Sequence, residues 1–158
     1  MRVDQEAVRF IAVEGGSIFL PRLSADGSHV LYLATFRPDD TSLPASLMSK
    51  PVAGGPPDLV LQEKGIIKNY QCARAPAQLC IFSKLVGADH IFVSFDIEHG
   101  AGRELARISN VTGTNWTLSA DGRKLAIFLN PHRIRFLSLD TGVAHDVSID
   151  NWPLTNGD

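Results

Sequence analysis

Three stretches of this chain share one rhythm of apolar and polar positions. LSADGSHVLYLA (residues 23–34) and LSADGRKLAIFL (residues 118–129) each set a short polar turn in front of an apolar run. Their Asp-Gly pairs, Asp26-Gly27 and Asp121-Gly122, lie 95 positions apart, about twice the period of a propeller blade. A third copy sits between them. ARAPAQLCIF (residues 73–82) aligns without gaps on SADGSHVLYL and SADGRKLAIF, at steps of 49 and 46. There Asp-Gly has drifted to Ala-Pro, while the apolar positions that follow hold. Asn69-Tyr70 and Asn115-Trp116 each place an aromatic six residues before the turn centre, and Asn151-Trp152 opens a further copy.

Within a copy, period-two and short apolar runs read as four strands, a to d. In the third they fall at 116–119, 124–129, 133–139 and 143–149. Asp121-Gly122 accepts the positive φ of a hairpin turn, and Asn130-Pro131 and Asp140-Thr141-Gly142 punctuate the later connections. Four strands per repeat at this period predict a propeller blade. The first blade spans 19–62, with strand b at 30–36, a long loop at 37–46, strand c at 47–52 and strand d at 59–61 behind Gly54-Gly55-Pro56-Pro57. The second spans 69–109, with strand c at 91–97 and strand d at 104–108, and the third spans 115–150.

The predicted fold is therefore all-β: a partial β-propeller of three four-stranded antiparallel blades plus one extra strand at each end. Those extra strands are 8–13, in the place of a preceding strand d, and 151–158, the start of a further blade. Rings usually close with roughly four to eight blades. The chain thus reads as a segment of a larger propeller, or as a partial one that packs against copies of itself through its open faces.

Blades with Asp-Gly turns and Gly-Gly-Pro after strand c resemble the TolB-like, WD40-like propeller repeats of bacteria. The runs CARAPAQLCIFSK, FDIEHGAGRELARI and NWTLSADGRKLAI look like the propeller segments attached to serine/threonine kinases and winged-helix regulators of Acidobacteria, over most of the chain from about Leu20 onward. Many propellers share the blade motifs, and the Cys-anchored middle blade is the more telling part. The resemblance implies a sensory or protein-interaction module. It carries no kinase activity to these residues, since the family's effector domain has no counterpart among them.

Composition narrows the partners. Of 158 residues, 44% are hydrophobic and 20% charged, a globular balance. A net charge of -2 supplies no basic footprint, so neither nucleic acid nor direct membrane contact is expected. The opening MRVDQEAVRFIAVEGG has no continuous apolar core, and neither a secretory signal nor a membrane span is expected in it.

Cys72 and Cys80 flank the ARAPAQ turn on strands a and b of the second blade. Two readings stand side by side: a cross-strand disulfide, which would suit an extracytoplasmic compartment, or two buried thiols in a cytoplasmic protein, since one register slip puts the pair on opposite faces. No metal or cofactor is expected, because no CxxC, HExxH or Gly-rich phosphate loop occurs. The five histidines (His29, His90, His99, His132 and His145) are scattered, and no GxSxG elbow accompanies them. Asp26, Gly27, Asp121 and Gly122 read as turn formers.

The candidate partner-binding face joins the starts of strand a to the loops between strands b and c: Asn69, Tyr70, Asn115 and Trp116 with Arg37, Asp39, Asp40, His90, His132 and Arg133. The plainer reading of Tyr70 and Trp116 is packing between blades. Arg133 and Arg135 share a sheet face, where solvation or an ion pair is expected. The leading expectation is a non-catalytic binding or scaffold module that meets a protein or peptide. Its alternatives are an accessory or catalytic propeller of a serine-peptidase-type hydrolase, and a partial propeller that mainly self-assembles into a closed ring.

Overall fold

The computed structural model describes residues 17–35, 45–63, 66–109, 115–130 and 132–149. The extra strands expected at 8–13 and 151–158 lie outside the described residues, as do Arg37, Asp39 and Asp40. Among the described residues the fold is all-β, in three four-stranded antiparallel sheets. The first holds β1 (Ser17–Leu23), β2 (His29–Thr35), β3 (Ser46–Pro51) and β4 (Asp58–Gln62). The second holds β5 (Ile66–Cys72), β6 (Cys80–Val86), β7 (Asp89–Asp96) and β8 (Gly100–Ser109). The third holds β9 (Trp116–Leu118), β10 (Lys124–Asn130), β11 (Arg133–Ser138) and β12 (Ala144–Ser148).

Each sheet is a meander, its strands side by side in chain order. The sheets are stacked so that β1 touches β5 and β5 touches β9, while the last strands β4 and β8 also meet. First strands in series, with the later strands fanning outward, is the arrangement of propeller blades.

Two cores result. Leu31, Leu33, Leu47 and Leu61 of the first blade pack on Tyr70, Phe82, Val93 and Phe95 of the second. The opposite face of the second blade, with Ile81, Phe92 and Ile108, packs on Trp116, Leu125 and Ile127 of the third. The middle blade is thus covered on both faces, which is why Cys80, Ile81, Phe82 and Ser83 are buried in succession while every residue of β12 is exposed.

The repeated Ser-x-Asp-Gly builds the same turn twice. Gly27 N donates to Ser24 O at 3.0 Å and Gly122 N to Ser119 O at 2.9 Å, and both glycines are left-handed, φ 74° and 72°. Asp26 Oδ1 accepts from Ser24 Oγ at 2.6 Å and Ser28 N at 2.9 Å; Asp121 Oδ1 accepts from Ser119 Oγ at 2.5 Å and Arg123 N at 3.0 Å. Short polar side chains bonding to backbone two residues on are what favour Asp and Ser in turns.

The middle copy departs from the gapless alignment. Leu23 pairs with Val30 and Leu118 with Leu125, but Cys72 pairs with Cys80 rather than Leu79. Its turn is one residue longer and contains the cis peptide Ala75-Pro76. The extra residue shifts the side chains of β6 to the other sheet face relative to the repeat, because strand side chains alternate. It also brings the cysteines directly opposite each other, and they form a disulfide with a Cα–Cα distance of 4.0 Å. The hydroxyl that latches the other two turns is absent at Ala73, and the covalent bridge closes this hairpin instead.

Candidate functional site at the two ends of the blades

Several candidates expected at the end that carries the starts of strand a turn inward, and because β5 begins at Ile66, Asn69 and Tyr70 lie at and just past its middle rather than at its start. Tyr70 is fully buried; its hydroxyl donates to Leu31 O at 2.7 Å and also lies against Leu20 O, both in the first blade. Burial raises the phenol well above its ordinary range. Leu20 is held at φ 53°, an uncommon conformation for a residue with a Cβ. Trp116 is 6% exposed and donates from Nε1 to Ser83 Oγ at 2.7 Å, across to the second blade. Each aromatic therefore reaches back to the preceding blade.

His90 is fully buried, neither ring nitrogen has a hydrogen-bond partner among the described residues, and its ring lies tilted against Phe92 at 4.6 Å between ring centroids. Desolvation pushes its imidazole pKa down. Tyr70, Trp116 and His90 are thereby removed from the expected binding face, because side chains that fill inter-blade cores cannot touch a ligand in solvent. Asn115, His132 and Arg133 remain exposed at this end. Asn69 is half-buried and accepts from Arg22 at 3.4 Å, joining the first two inner strands. Arg135 pairs with Asp146 on the neighbouring strand at 2.7 Å, which holds the Asp146 carboxyl below its usual range.

A hollow lies at the opposite end, where the turns between strands a and b and between c and d come together. It is a cleft of about 770 Å³ between the first and second blades. One wall is the Ser24–His29 turn with Ser49, Asp58 and Leu59; the other is Ala75–Gln78 with Phe95 and the Asp96–Glu98 turn, and Cys80 lies at its base. A second hollow of about 490 Å³ adjoins it across the Ser24–Gly27 turn and carries Arg22 and Arg74.

Bonds within the turns hold the cleft's walls. The Asp26 carboxyl is kept well below the carboxylate range by the Ser24 hydroxyl, then by the backbone N–H and hydroxyl of Ser28. Asp96 is lowered mainly by the Glu98 N–H, with help from His99. Asp96, Glu98 and His99 bring ligand atoms within 4.8 Å of one another, all exposed, a set that could offer a metal three donors. Asp96 Oδ1 is already occupied in closing the β7–β8 turn, accepting from Glu98 N at 2.8 Å and pairing with His99 Nδ1 at 2.9 Å.

The partner-binding face expected from the sequence lies at the other end of the blades from this cleft. Asp26 was legible as a turn former, which it is. Nothing local marks Asp58, Asp96 and Glu98 as its neighbours, since they sit at or beside the ends of strands c and d in two different blades.

No protein-family model matches the chain, and no curated protein does. Among solved structures, a candidate 6-phosphogluconolactonase of Bacteroides fragilis is similar at a TM-score of 0.52 and 12% identity, over 85% of this chain and 56% of that one. TolB from Acinetobacter baumannii aligns at a TM-score of 0.47 and 11% identity, covering 84% of this chain and 44% of TolB. An oligogalacturonate lyase in complex with manganese aligns at 0.42 and 12% identity, over 93% and 58%. The chain spans about half the length of these proteins. At such identities the likeness concerns the fold alone.

Proposed function

We propose that this chain is a β-propeller binding module in which turns of neighbouring blades meet a protein or peptide, and that in a larger signalling protein this contact biases an attached effector. One observation carries the reading: a cleft of about 770 Å³ is walled by turns of two blades in which Asp26 and Asp96 are held by hydrogen bonds within their own turns. Such preorganised turns on a stacked-sheet scaffold lose little freedom on binding. The resemblance to propeller repeats attached to bacterial kinases and winged-helix regulators supports the signalling role. The Cys72–Cys80 bridge suits an oxidising compartment, and we assign the module there.

The test is a peptide-display selection against the whole chain, followed by titration of the selected sequence and run beside lactonase, esterase and peptidase assays. Saturable binding without turnover is expected. Turnover abolished by a single substitution in this chain would overturn the reading.

Self-association belongs to the same proposal. On the third blade's outer face, Phe128, Ile134 and Val147 form a row across three strands, with Phe128 36% and Val147 41% exposed. The corresponding face of the second blade is the one that packs on the third. A second copy of the chain is the occupant we assign, because the contact it offers continues a packing mode this chain already uses twice. Light scattering across a dilution series should give a discrete oligomer that Phe128→Asp dissociates; a monomer at every concentration would exclude it.

A further inference from the structure

Among the described residues, acidic side chains either pair with a Lys or Arg or do not, and of the five that do not, all but Asp121, held in its own turn, line one cleft. Glu63, Asp89, Glu104, Asp140 and Asp146 each lie within 3.2 Å of a Lys or Arg. Asp26, Asp58, Asp96 and Glu98 have no Lys or Arg partner among the described residues, and all four line the cleft between the first two blades. No Lys or Arg lines that cleft, and its one imidazole, His29, has Nδ1 on Ser28 Oγ at 2.7 Å. The protein as a whole is only slightly acidic, at -2, and four of the five unpaired carboxylates among the described residues gather here, with Arg22 and Arg74 in the adjoining hollow on the far side of the Asp26 turn.

The cleft is more than a cluster of carboxylates. Ser49 lies in its wall, 2% exposed. It shares a strand face with Leu47, which packs toward the second blade, and its cross-strand neighbour is Asp58. Its hydroxyl therefore points into the gap between the blades, and it has no hydrogen-bond partner among the described residues. A hydroxyl in that position can donate to or accept from a polar ligand atom entering the cleft. Opposite it, Phe95 and Ile97 offer apolar surface. Fixed anions around a partly apolar gap, with a hydroxyl set deep in the wall, are complementary to an ammonium or guanidinium on an aliphatic stem.

We infer that the cleft between the first two blades binds a basic peptide segment, with a Lys or Arg side chain passing the four carboxylates toward Ser49 and Asp58 while its methylenes lie on Phe95 and Ile97. The inference rests on the binding-module reading and specifies its ligand. A peptide fits better than a bare polyamine because the lining alternates charge with apolar surface, and about 770 Å³ is room for a drug-sized ligand or several residues rather than one headgroup.

The test is fluorescence anisotropy of the full chain with a labelled peptide of alternating Arg and Leu, its Glu-for-Arg counterpart, and spermidine as competitor. Variants Asp58→Asn/Glu98→Gln and Glu63→Gln/Asp140→Asn remove the same charge inside and outside the cleft, and circular dichroism checks that each folds. The basic peptide should bind saturably and the acidic one not at all. The cleft variant should weaken binding about tenfold or more, and the outside variant less than about twofold. Equal weakening by both variants would mean unspecific charge attraction and overturn the inference. Displacement by spermidine at the peptide's own concentration would overturn the peptide as occupant. Should the cleft double variant fail to fold, Glu98→Gln alone, on an exposed turn, carries the same comparison. Loss of basic-peptide binding alongside saturable binding of a display-selected, non-basic peptide would overturn this inference and leave the binding-module reading standing; turnover without binding would overturn both.

Discussion

The hydroxyl of Tyr70 in the second blade donates to the carbonyl of Leu31 in the first at 2.7 Å, in a position fully closed to solvent. The bond ties two residues 39 positions apart in sequence, and with the contact to Leu20 O it fastens the inner strands of adjacent blades. Tyr70→Phe keeps the ring and deletes the donor. It should lower stability by about 1–3 kcal/mol, the cost of leaving a buried acceptor unsatisfied, as read from the denaturant midpoint at unchanged slope.

The bridge between Cys72 and Cys80 closes a short loop, with a sequence separation of 8. Chain-entropy reasoning assigns a loop of this size about 2–3 kcal/mol. Unfolding in the presence of dithiothreitol, or of Cys72→Ala/Cys80→Ala, should show an unfolding free energy lower by that amount. The turn it closes also meets the third blade, Arg74 N donating to Ala120 O at 2.8 Å. Hydrogen exchange at Arg74 should therefore accelerate on reduction.

Gly27 and Gly122 have the same left-handed backbone but different surroundings. A Cβ on Gly27 meets nothing within 4 Å, whereas one on Gly122 comes 3.1 Å from the Ala73 Cβ of the neighbouring blade. Gly27→Ala should cost about 1 kcal/mol, the backbone penalty alone. Gly122→Ala should cost more, and the difference between the two unfolding free energies reads the closeness of the turns of blades two and three.

His90 predicts a pH dependence. Its folded pKa is depressed by burial, so the unfolded chain takes up the proton more readily. This contribution to stability is complete above the unfolded value of about 6.5 and is lost as pH falls below it, with a slope of at most about 1.4 kcal/mol per pH unit. His90→Leu, which fills the site without a titrating group, should flatten the stability profile between pH 7.5 and 5 relative to the parent chain. An unchanged difference between the two proteins across that range would rule out the assignment.

The sequence by itself determined the strands, their grouping in fours and the two Ser-x-Asp-Gly turns. Those features depend on side-chain alternation and on polar groups bonding two or three residues away, all within one hairpin. It also marked Tyr70 and Trp116 as equivalent, but not that both reach back to the preceding blade, because that depends on which face of each sheet meets its neighbour. Tertiary structure alone decided the middle register. Aligned without gaps, Cys72 falls opposite Leu79; one extra residue in the Ala-Pro turn moves Cys80 there and reverses the faces of β6. It also decided where charge collects. Asp26, Asp58, Asp96 and Glu98 sit in or beside three turns of two blades, and only stacking those blades face to face places their carboxylates around one cleft, beside a serine whose hydroxyl no local pattern distinguishes.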